Sequence, residues 1–72
     1  MKEVVLNVAP AAGGWWVDCD LPLEPIFFRS GDLAEQTARK LALLLTDLGR
    51  DVRLFVRDRL DYPVATHRYF SL

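Results

Sequence analysis

Cysteine is almost missing from this 72-residue chain. Cys19 stands alone, so no intramolecular disulfide is possible and nothing points to secretion. Histidine is equally scarce. His67 has no nucleophile or second ligand spaced to work with it, which favours a surface histidine over a catalytic one. Long hydrophobic runs are absent too. The segment MKEVVLNV lacks a signal-peptide core, and the apolar run Leu41 to Leu45 is far too short to cross a bilayer. A cytoplasmic protein with no membrane partner is expected.

Charge of one sign is not in excess: nine Lys and Arg face ten Asp and Glu, a formal net charge of −1. The pI near 5.6 falls well short of a nucleic-acid-binding composition. Gly13-Gly14 precedes a strand rather than a helix, so it lacks the context of a phosphate-binding loop. Asp18 and Asp20 supply too few ligands for a stable cation site and read as solvated charges. Cys19 alternates toward the core with no helix start or base beside it, which makes it an inert thiol. No catalytic residue, cofactor or metal is expected, and the chain does not read as an enzyme.

What is present is an apolar surplus. Hydrophobic residues make up 51% of the chain and charged ones 26%, a globular composition. Seventy-two residues make one domain, too small to bury so many large side chains alone. That surplus points to an oligomer or a partner. The charges are also unevenly placed. Through Ala38 two basic residues stand against six acidic ones, and from Arg39 onward seven basic stand against four acidic. A dipolar molecule follows, whose ends can orient self-association.

The segment Asp32 to Gly49 carries the clearest periodicity. Ala34, Ala38, Leu41, Leu45 and Leu48 recur at spacings of four and three, one stripe of an amphipathic helix over about Asp32–Leu48. Ser30 or Asp32 caps it, Asp32 with Glu35 having the capping-box spacing, and Gly49 closes it. Leu43 falls on the opposite, exposed side.

Around the helix the pattern has period two. Strands are expected at Lys2–Ala9, ended by Pro10, then at Trp15–Asp20, Ile26–Arg29, Val52–Arg57 and Val64–Phe70. Ala11–Gly14 is a turn, the Pro-bounded stretch Leu21–Pro25 a loop, and Asp58–Pro63 a second turn. The fold class is α+β: a β-β-β-α-β(-β) domain with a twisted, mainly antiparallel sheet and one helix on one face. A right-handed crossover should bring the fourth strand parallel to the first or third, and the sequence does not choose between them.

These residues resemble a family of short uncharacterised bacterial proteins classed as a domain of unknown function. The shared pattern is a strand ending before proline, a Gly-Gly-Trp-x-Val hairpin, a Phe-x-Ser/Thr helix start and an Ala-x-x-x-Ala-Arg-x-Leu-Ala helix. Gly13, Gly14, Trp15 and Val17 fit the hairpin, Phe28 and Ser30 the helix start, and Ala34, Ala38, Arg39, Leu41 and Ala42 the helix. Leu33 departs from the pattern where an acidic residue usually completes the cap, as does the longer Pro-containing loop. The resemblance implies a β-β-β-α-β fold and supplies no activity. The topology is also loosely similar to small sheet-plus-helix domains that bind DNA or double-stranded RNA, an analogy of fold alone.

Alternation defines the candidate site. If Val4/Leu6/Val8, Trp15/Val17/Cys19, Ile26/Phe28 and Val52/Leu54/Val56 pack under the helix, Val5, Trp16, Phe27 and Phe55 are left on the other face. Arg29, Arg53, Arg57 and Asp18 then surround them. Trp15 is expected mostly buried and Trp16 on the opposite side. Three readings of that face compete. Tyr69 and Phe70 cover it, a second copy packs on it, or single-stranded nucleic acid stacks on its aromatics. The acidic pI with Asp18 and Asp20 disfavours the last. The expectation is a non-enzymatic binding or assembly module, homodimeric through this face, with a nucleic-acid-binding accessory protein as the alternative.

Overall fold

A computed structural model describes residues 3–71. Among them are five strands and one helix: β1 (Val4–Ala11), β2 (Gly14–Cys19), β3 (Ile26–Phe28), α1 (Gly31–Asp47), β4 (Val52–Arg57) and β5 (Pro63–Tyr69). The strands form one mixed sheet in the order β3-β2-β1-β4-β5, with α1 packed on one face. The domain is α+β, as its two periodicities require. β4 joins β1 in parallel, Val4 opposite Val52 through Val8 opposite Val56. The other three pairings are antiparallel.

Strand β1 runs on through Pro10, against the expectation that proline ends it. The reason is the direction of the missing N–H. Val5 exchanges bonds with the β2 side and the Val4 N–H goes to Asp51 on the β4 side, so even-numbered residues of β1 point their backbone toward β4. The parallel ladder ends at Val8, so Pro10 lacks a donor where no strand asks for one. The expected start of β1 at Lys2 lies outside the described residues. Ala12 and Gly13 make a two-residue turn. Gly13 at φ 75° supplies the positive φ that a type II turn needs at its third residue.

Helix α1 starts at Ser30, whose Oγ accepts the Leu33 N–H at 3.2 Å. Asp32 therefore lies in the first turn, where its charge favours the helix dipole, rather than at the cap. The helix closes as a Schellman motif about Gly49 at φ 89°: Gly49 N–H donates to Thr46 and Arg50 N–H to Leu45.

The buried line of α1 is Ala34, Ala38 and Ala42, with Leu41 and Leu45 half-buried beside it. Small side chains let the helix lie close on Leu6, Val17, Val52 and Leu54 of the sheet. Leu48 is a correction to the expected stripe. It is the C-cap, past the alanine line, and exposes 71% of its surface. Ile26 is another: it faces the helix side but stays 49% exposed, because β3 is the sheet edge and α1 lies over the middle strands.

Candidate interaction surface

Residues opposite one another in a ladder share a face, so the registers define the surface turned away from α1. One row crosses Phe27, Trp16 and Ala9. The next crosses Asp18, Asn7, Phe55 and Thr66. The third places Val5, Arg53 and Arg68 side by side, and Asp20 N–H joins its β2 end by donating to the Val5 carbonyl. Val5, Trp16, Phe27 and Phe55 therefore share the helix-distal face.

They do not form one apolar block. Trp16 and Phe27 meet edge to face, ring centroids 5.3 Å apart at 72°, and remain 40% and 42% exposed. Phe55 and Val5 are half-buried and separated from that pair by Asn7, Asp18 and Ala9. The guanidinium of Arg53 lies 6.0 Å from the Phe55 ring centroid and pairs with Glu3 at 3.2 Å. Arg29 follows β3 and is exposed.

Arg57 stands apart from the others at the end of β4. It donates to the Asp61 carbonyl at 3.3 Å and lines a depression of about 200 Å³ with Trp15, Gly31 and Glu35. A bulge there, with Val64 as the extra residue, shifts the β4–β5 register.

The C-terminal segment does not cover this face, which overturns one expected reading. Tyr69 pairs with Val52 and packs against the core on the helix side. Phe70 lines a depression with Thr46, Asp47 and Gly49 at the helix end.

Charge on the helix-distal face is divided across the strands. Asp18 and Asp20 lie on the β2 side and Arg53 and Arg68 on the β4–β5 side, with the neutral Asn7 and Ala9 of β1 between. Glu3, before β1, pairs with Arg53, and Arg29 extends past the β3 edge. This is the chain's acidic-then-basic asymmetry, turned into a left–right asymmetry of the sheet. Asp20 is partly spent, its Oδ1 accepting the Val5 N–H at 3.0 Å. Asp18 and Arg68 have no side-chain hydrogen bond or ion pair among the described residues.

Two features were missed in the sequence. Arg59 stacks over Trp15, its guanidinium 4.6 Å from the ring centroid, and donates to the Ala11 carbonyl at 2.8 Å. It pins the β1–β2 hairpin to the β4–β5 loop, and only the fold brings it there. The second is a leucine flank on α1. Leu33, Leu44 and Leu48 are exposed and fall within about 80° of Leu41 around the helix. Leu41 in turn meets Leu23 and Ile26 in a depression of about 40 Å³. The spacing Leu33-Leu44-Leu48 was the available signal, hidden by the stronger stripe beside it.

His67 faces the helix side, its Nε2 3.4 Å from Arg39 Nη2. Cys19 is half-buried, its Sγ directed at the Leu21 carbonyl. Among the described residues no group of three or more His, Cys, Asp or Glu is placed to hold a metal, and no helix is long and apolar enough to cross a membrane.

No family model matches the chain, and neither a curated protein nor a solved structure matches it. The family resemblance therefore rests on the residues quoted for it.

Proposed function

We propose that this domain is a small non-enzymatic binding and assembly module that pairs with a second copy of itself through the helix-distal sheet face. The observation that carries this reading is the bare aromatic pair Trp16–Phe27 on a face that neither α1 nor the C-terminal segment covers. Exposed aromatic groups, with arginines elsewhere on the same face, have the composition of an interface core. A two-fold dimer hides the same patch on both copies, the simplest closed arrangement.

Size sets the strength. Five strands about 4.8 Å apart and about six residues long give a face of at most about 500 Å² per copy. The total of about 1,000 Å² is at the lower edge for a specific interface. Interfaces this small belong with weak, transient complexes, and association in the micromolar range is expected.

Trp16 reports on it directly. In a Trp15→Phe variant Trp16 is the sole tryptophan. Its quenching by acrylamide should fall at least about twofold between roughly 1 μM and 200 μM protein, the range spanning a micromolar equilibrium. Equal quenching at both concentrations, in a folded variant, contradicts the reading.

A further inference from the structure

We infer that the two copies pair about a two-fold axis lying along β1, so that the acidic β2 side of each sheet meets the basic β4–β5 side of the other. The inference rests on the self-association proposed above and fixes its geometry.

The charge division selects the axis. Two sheets packed face to face can be related by an axis along the strands or across them. An axis across the strands lays each strand over its own copy, placing Arg53 and Arg68 against the same arginines and Asp18 and Asp20 against the same aspartates. Like charges brought together in a closed interface suppress pairing. An axis along the strands exchanges left and right instead. β1 is the central strand of the five, so an axis on β1 lays β2 of one copy over β4 of the other. The one like-charge approach it makes is Glu3 toward its own copy, and each Glu3 is held in an ion pair with Arg53.

In that arrangement the row holding Asp20 and Arg53 meets its own reverse, Asp20 against Arg53 in both directions. The next row sets Asp18 over the second copy's Phe55, with Arg53 two residues away on the same face of that strand. Asp18 and Arg68, which have no side-chain partner among the described residues, are then brought close to opposite charge. Trp16 and Phe27 lie over the β4–β5 half of the second copy, where Phe55 adds to the apolar contact. The aligned packing of twisted sheets, about 30° between strand directions, keeps these rows in register near the axis.

Charge reversal tests the geometry on the full chain. Asp18→Arg alone and Arg53→Asp alone should each weaken self-association at least about tenfold, since in both copies the first brings an arginine within one row of Arg53 and the second sets an aspartate against Asp20. An equimolar mixture of the two should associate more tightly than either alone. In the mixed dimer the arginine introduced in one variant lies one row from the aspartate introduced in the other, while the native Arg53 of the first still meets the native Asp20 of the second. Sedimentation of each variant and of the mixture reads this, with circular dichroism as the check of folding.

Where a charge variant does not fold, single cysteines in a Cys19→Ala background read the axis instead. A short bismaleimide should link an Asp18→Cys copy to a Phe55→Cys copy, since β2 lies over β4, in preference to linking either variant to itself, which is what an axis across the strands would give. Unaltered affinity in both single variants, a mixture no tighter than its components, or crosslinking of position 18 to 18 in preference to 18 to 55 would overturn this axis while leaving self-association standing. A parent protein that never associates removes both.

Discussion

Replacing Leu54 with alanine should leave most of the chain unfolded at room temperature. Leu54 exposes none of its surface and lies on the helix-facing side of β4, between β1 and β5. Removing a buried leucine side chain costs about 2–5 kcal/mol, the larger values where the cavity cannot collapse. The seam above it is built from alanines Ala34, Ala38 and Ala42, which have no length to move into the gap. A domain of this size rarely holds more than about 3–5 kcal/mol. Each kcal/mol lowers the midpoint by about 4–8 °C, so thermal unfolding should drop by at least about 10 °C or lose its cooperative transition. Leu41→Ala should cost less, since Leu41 is only half-buried on the helix flank. The reverse order of the two variants would put the core on that flank instead of under the alanine line.

Gly14→Ala should detach β3. A Cβ at Gly14 would overlap the carbonyl oxygen of Phe28 and the ring of Phe27. The ring can turn away, but the carbonyl belongs to the backbone of the three-residue edge strand. Overpacking of this kind costs about 1–3 kcal/mol, with the upper end expected where backbone must move. Gly13→Ala is the control. It meets nothing within 4 Å, and its φ of 75° alone is unfavourable for alanine, costing about 1–2 kcal/mol. Amide exchange across the β2–β3 ladder should accelerate in Gly14→Ala and stay near parental rates in Gly13→Ala. The same acceleration in both would mean that turn strain, not close approach, governs this edge.

Much of this fold was legible because each element keeps one period. Val52–Arg57 matches β4 at both ends, and the helix lies one residue from its expected bounds. The misses have local causes. Pro10 looked like a stop because a sequence does not say which side of a strand will be left without a neighbour. Leu48 fitted the stripe by spacing, yet the C-cap turns away from the sheet. The choice of β1 over β3 as the neighbour of β4 depends on long-range pairing that no local pattern encodes.

The shared face of Val5, Trp16, Phe27 and Phe55 followed from alternation alone. The left–right division of its charge did not, because it needs the strand order. The leucine flank of α1 was masked for a different reason: two apolar stripes overlap on one helix, and the wider buried one dominates the reading.

Sedimentation equilibrium of the unaltered protein addresses the helix-distal face most directly. A monomer–dimer equilibrium with a dissociation constant in the micromolar range, about 7–8 kcal/mol of association, is expected from a face of this size. A protein that remains monomeric near 100 μM, about 5 kcal/mol on the same scale, would contradict it.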